Sequence, residues 1–170
     1  METIKLKDKP FLIIGSSGQE KTLTQEIVDK YNSIAINKSP FKVDIIFRYD
    51  VPDNNITKLD MCRYFCTNSK YKDYPQYKNE KCKFFDAEYK IISDKLPLLG
   101  AYRFTVTVAL NYIAIVRPQA EVYLVGIDHT TAQYNDATVR RFIERYKDFL
   151  KLYQTDFNST GWNLEYRKLK

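Results

Sequence analysis

The stretch Phe11-Leu12-Ile13-Ile14-Gly15-Ser16-Ser17-Gly18 decides the fold class. Four consecutive apolar residues between Pro10 and Gly15 are too few for a buried helix. A strand covered on both faces, as in a parallel sheet, takes such a continuous run. Gly15 to Gly18 then breaks the pattern. Leu23, Ile27 and Val28 recur at helical spacing, which predicts a helix from about Gln19 to Tyr31.

Two further strands follow, at Ser33-Ile34-Ala35-Ile36-Asn37 and Val43-Asp44-Ile45-Ile46-Phe47. Strand, helix, strand is the order of an open parallel sheet. The segment from Lys58 to Phe65 reads as a short helix, and the tyrosine-rich segment from Asn68 to Asn79 as an exposed loop. Lys83-Phe84-Phe85 and Lys90-Ile91-Ile92 read as short strands. From Ala101 to Val116 the chain is apolar for sixteen residues, long for a strand, and reads as a buried helix. Glu121-Val122-Tyr123-Leu124-Val125 stops at Gly126-Ile127-Asp128 and reads as a central strand. Val139, Phe142, Ile143, Tyr146 and Leu150 trace a helix from about Asp136, and Lys151 to Thr155 reads as the last strand. The expectation is α/β: a single Rossmann-like domain over residues 1–170, mostly parallel sheet flanked by helices.

At 170 residues the chain can bury a core without disulfides or metals. No apolar run reaches the roughly 18 residues of a membrane span, and the charged start Met1 to Lys7 does not read as a signal peptide. A cytoplasmic protein with no membrane span is expected. The net charge of +6 invites a nucleic-acid partner. Lysines are however interleaved with acids, and the densest basic segment, Lys70 to Lys83, reads as a solvated loop. Cys62, Cys66 and Cys82 lack the further ligands a zinc site needs, so no metal is expected and the thiols are read as free. On a helix, Cys62 and Cys66 would share a face.

In an open parallel sheet, ligands bind outside the carboxyl ends of the strands. That rule selects Gly15, Ser16, Ser17 and Gly18 after the first strand, Asn37 after the second and Asp50 beyond the third. It also selects Asp128 and His129 after the Glu121 strand, and Asn158 and Ser159 after the last. Glycines let a ligand approach the backbone, and a following helix offers unpaired N–H groups to an anion. The turn matches neither common glycine-rich phosphate fingerprint. Asn37 and Asp50 have the chemistry to bond a base or ribose, and equally to shape a turn. His129, the one histidine, titrates near neutrality and is the candidate general base.

In segment order the chain resembles the bacterial lipooligosaccharide sialyltransferases, which use CMP-sialic acid, and related Rossmann-like glycosyltransferases. The similar places are Phe11 to Gly18, Ile34-Ala35-Ile36-Asn37, Gly100 to Tyr112, Glu121 to Asp128, and Lys151 to Ser159. The resemblance implies an inverting, metal-independent transferase with no cofactor beyond its nucleotide-sugar substrate, and a glycan acceptor. It adds Gly100, at the helix start, and Tyr134, as a phosphate-binding residue, to the nucleotide site. The family carries a lid with its catalytic histidine after the "GID" strand. Here only about a dozen residues, His129 to Arg140, fill that gap, and His129 is too close to Asp128 to be that histidine. Three functions follow as expectations: a sialyltransferase-like enzyme, a non-catalytic nucleotide-binding or interaction module on the same scaffold, and a basic nucleic-acid-binding protein.

Overall fold

Phe11–Ile14 forms strand β1, and each of its four residues is buried, as a strand covered on both faces must be. The computed structural model describes residues 4–16, 19–48, 59–85, 105–127, 143–155 and 164–170, with the backbone alone at 19 and 20. After β1 come a 3-10 turn at Gln19–Thr22, helix α1 at Gln25–Val28, β2 at Asn32–Ile36 and β3 at Val43–Phe47. A 3-10 turn at Leu59–Met61 leads into β4, Cys62–Asn68. Two more, Ser69–Tyr71 and Pro75–Tyr77, precede β5 at Cys82–Phe85. Helix α2 spans Thr105–Val116, followed by β6 at Glu121–Val125, β7 at Lys151–Gln154 and β8 at Glu165–Tyr166.

The eight strands of the described residues lie parallel in one sheet, ordered β5-β4-β3-β2-β1-β6-β7-β8. The α/β architecture is therefore as expected. Phe11 stands opposite Asn32 on one side and Val122 on the other. The two-residue alternation of strands sorts the core into two layers. Phe11, Ile13, Ile34, Ile45, Phe47, Val122 and Leu124 face α2. Leu12, Ile14, Ala35, Ile46, Tyr123 and Val125 face the 3-10 turns and α1. Nine of the twelve α2 residues are buried, which is why its sequence is apolar all round. Behind it, the buried Tyr146 hydroxyl donates to the Thr107 carbonyl at 3.2 Å, and burial pushes that phenol well up. Ile143, Tyr146 and Leu150 are buried as their spacing predicts; residues 136–142 of that expected helix lie outside the described part.

Side chains tie the amino-terminal segment to the sheet. Asn32 is 1% exposed, and its amide accepts from the Lys7 N–H and donates to the Lys7 and Lys9 carbonyls. Arg117 donates to the same two carbonyls from the end of α2 and lies over the Phe11 ring. At the far edge, Arg167 sits 3.7 Å from the centroid of Tyr153 and pairs with Glu121 and Glu165.

Four expectations are corrected. The helix expected from Gln19 to Tyr31 is a 3-10 turn and a single α turn. Thr24 interrupts it with an extended backbone (φ −119°, ψ 158°), accepting the Ile27 N–H on its hydroxyl and so capping α1. The helix expected at Lys58 to Phe65 is instead the Leu59–Met61 turn and the start of β4, which pairs with β3 from Val43 opposite Cys62. Cys62 and Cys66 belong to different clusters of the core. The segment 68–79 is exposed over most of its length but turns two tyrosines inward: Tyr71 and Tyr77 are buried, and Tyr77 stacks on Phe65 at 5.7 Å. Finally, β7 is not the last strand, since β8 adds to the edge beyond it. The expected strand at 90–92 lies outside the described residues.

Candidate functional site at the carboxyl edge of the sheet

Because every strand is parallel, all carboxyl ends lie along one edge of the sheet. From β1 the chain adds strands outward to β5, then returns to the other side of β1 for β6, β7 and β8. The winding therefore reverses between β1 and β6, where open α/β sheets place their ligand crevice.

Gly15 and Gly126 meet at that reversal. The Gly15 N–H donates to the Val125 carbonyl at 2.8 Å. A Cβ on Gly15 would lie 2.2 Å from the Gly126 carbonyl oxygen and 2.8 Å from Ile127 Cγ1. The close approach that demands glycine here is thus made by the neighbouring strand end, not reserved for a ligand. Gly126 itself has φ 66°, in the left-handed region. Nor does a long helix follow the turn, so the expected row of free helical N–H groups is reduced to a short 3-10 turn. Ser16 is exposed beside Gly15.

Asn37 also has φ 66°, a conformation asparagine tolerates better than most residues. Its N–H donates to the Phe47 carbonyl, and its side-chain oxygen accepts the Thr105 hydroxyl at 3.3 Å. It pins the end of β2 to the start of α2, the turn-shaping alternative for this residue. Ser17, Gly18, Asp50, Gly100, Asp128, His129, Tyr134, Asn158 and Ser159 lie outside the described residues. Of the expected site, Gly15, Ser16 and Asn37 are placed, on adjacent strands.

Two polar residues at this edge, Thr67 and Tyr77, were not selected from the sequence, and they lie near Arg48, which opens the polar end Arg48-Tyr49-Asp50 read after the third strand. Arg48 follows β3, its N–H bonded to the Cys66 carbonyl, with a half-buried side chain. Thr67, inside β4, is fully buried, and Tyr77 is 1% exposed. The spacing of Tyr71, Tyr74 and Tyr77 was the available signal. Residues three apart eclipse on a 3-10 turn, and these rings do cluster, with centroids 5.7 to 6.5 Å apart.

That packing changes the Lys70 to Lys83 surface. Of its three tyrosines only Tyr74 is exposed, while Lys70 lies over the Tyr71 ring and Lys81 donates inward to the Leu59 and Cys62 carbonyls. A stacking platform for single strands, which needs several presented rings, is reduced to one.

Among the described residues no cluster of His, Cys, Asp or Glu could hold a metal ion, and no helix is long and apolar enough to cross a membrane. Cys62, Cys66 and Cys82 are buried free thiols. Burial pushes the Cys62 thiol up to about 11, against the partial relief of Lys81, and pushes Cys82 up as well. At pH 8 a thiol of that kind is about one part in a thousand thiolate. We expect negligible reaction with a disulfide reagent over minutes in the native protein and three thiols titrating in denaturant. Rapid native labelling of Cys62 or Cys82 would contradict their placement.

The chain matches no family model, no curated protein and no solved structure.

Proposed function

We propose that the chain binds a nucleotide or nucleotide sugar, such as a CMP-sugar, across the carboxyl ends of β1, β2 and β6, as a glycosyltransferase-like protein of the cytoplasm. The observation that supports this reading is the reversal of winding between β1 and β6, the position at which open parallel sheets take such ligands. Ser16 on the exposed side of the Gly15 turn offers a hydroxyl there. In the same proposal His129, two residues beyond Ile127 in the chain, takes the proton of an acceptor hydroxyl as the sugar moves from the nucleotide phosphate to that oxygen. Rossmann-like topology and the sialyltransferase resemblance belong to this proposal too.

The test is a thermal-shift panel of CMP, UMP, AMP and GMP with their sugar conjugates. A ligand at a hundred times its Kd stabilises by about 2.7 kcal/mol, a rise of about 5–10 °C for a chain of this size. Ser16→Tyr, on an exposed residue, is expected to abolish that rise without lowering the melting temperature of the free protein. No shift with any nucleotide at millimolar concentration would overturn the proposal. Binding with no sugar release, or release indifferent to His129→Ala, would reduce it to a binding module.

A further inference from the structure

We propose that Glu121, Tyr123 and Tyr153 form a recognition site for an arginine side chain in an extended segment of a partner protein, occupied here in cis by Arg167. The Arg167 guanidinium lies 3.7 Å from the centroid of the Tyr153 ring, and its Nη1 donates to Glu121 Oε1 at 3.3 Å. The Tyr123 hydroxyl faces it as well. Its Nη2 bonds to Glu165, within its own segment. A planar cation laid on an aromatic face beside a carboxylate is chemistry that favours arginine over lysine.

The site belongs to the sheet and not to its occupant. Glu121 and Tyr123 stand on β6, and Tyr153 stands opposite Tyr123 on β7. The Tyr31, Tyr123 and Tyr153 rings support one another, with successive centroids 5.4 and 5.2 Å apart. The occupant is held lightly. β8 pairs with only two of the four β7 residues, and Glu165, Tyr166, Lys168 and Lys170 are exposed. Leu164 lies in the core cluster around α2, and Leu169 packs against the other cluster. The Arg167 N–H donates to the Gln154 carbonyl and the Lys170 N–H to the Tyr31 hydroxyl. The pair of Arg167 and Glu121 is open to solvent, with both side chains more than a third exposed, where such pairs contribute little and a competitor can reach them. A strand that paired along all of β7, with an arginine and two leucines at the same spacing, would displace this segment by strand addition. The site lies within β6 and β7 rather than beyond their carboxyl ends, so it stands whether or not a nucleotide binds there.

The probe is a synthetic peptide with the sequence of residues 164–170, titrated calorimetrically into the intact chain and its Arg167→Ala variant. Because the cis segment fills the site, the peptide is expected to bind Arg167→Ala about tenfold more tightly than wild type, or better. Alanine for the arginine of the peptide should remove binding at millimolar concentration, and lysine there should weaken it about tenfold. Adding Glu121→Gln to Arg167→Ala should weaken binding about threefold. In the wild type, millimolar peptide should speed hydrogen exchange at the Arg167 N–H, since displacement frees it from the Gln154 carbonyl. That readout needs no variant to fold. Equal binding of the arginine and alanine peptides, no binding by Arg167→Ala at millimolar peptide, or unchanged Arg167 exchange would overturn the proposal. So would concentration-dependent dimers of the intact chain that Arg167→Ala abolishes, which would make the segment an arm exchanged between copies.

Discussion

Gly15→Ala is expected to destabilise the protein by about 3 kcal/mol, at the upper end of the usual cost of overpacking. The added methyl has no space: the atom it meets at 2.2 Å is a backbone oxygen, which cannot rotate away as a side chain can. Gly15 is buried and its N–H is held by the Val125 carbonyl, so relief requires β1 and β6 to separate at the middle of the sheet. Gly126→Ala serves as comparison. There the cost is that of a left-handed backbone, about 1–2 kcal/mol. Urea unfolding of the two variants should rank Gly15→Ala clearly below Gly126→Ala. A Gly15→Ala protein within 1 kcal/mol of wild type would mean that the β1 and β6 ends are not in contact. It follows that loss of nucleotide binding in a Gly15 variant would say nothing about the crevice, and Ser16 is the residue to probe.

Gly15 also marks where sequence reading runs out. That the chain needs a glycine after Phe11-Leu12-Ile13-Ile14 is plain from the break in the apolar run. What the glycine avoids sits more than a hundred residues on, at Gly126, and no local pattern carries that. Strands β1, β2, β3 and β6 were legible because strands buried on both faces leave continuous apolar runs. Helix α2 was told from a strand by its length. The errors fall where no continuous apolar run marks the element. Lys58 to Phe65 mixes apolar residues with Lys58, Asp60 and Arg63, so the start of β4 passed for a helix. Leu23, Ile27 and Val28 kept their expected inward position, but Thr24 divided the helix that was to carry them. Asn37 was legible as a polar residue at a strand end; its backbone conformation and the bond from the Thr105 hydroxyl were not. Arg48, Thr67 and Tyr77 come from three separate segments, and only folding brings them together.

Phe47→Ala is expected to cost about 3–5 kcal/mol, the range for emptying a phenylalanine site in a packed core. Such a loss is about a fifth or more of the stability of a typical domain. Phe47 is fully buried, with its ring centroid 5.5 Å from Tyr112 and 6.0 Å from Phe85, and those two rings are 5.6 Å apart. The three aromatics join β3 and β5 to α2 across one layer of the core, so the cavity would open at the junction of three elements. Phe47→Leu isolates the ring contribution. It keeps most of the buried apolar area but loses the two tilted contacts with Phe85 and Tyr112, worth about 0.5–1.5 kcal/mol per pair, and is expected to cost about 1.5 kcal/mol in urea unfolding. The cycle with Tyr112→Ala should be non-additive by more than about 0.5 kcal/mol, because the two truncations empty one shared space. Strict additivity would place the rings in separate pockets.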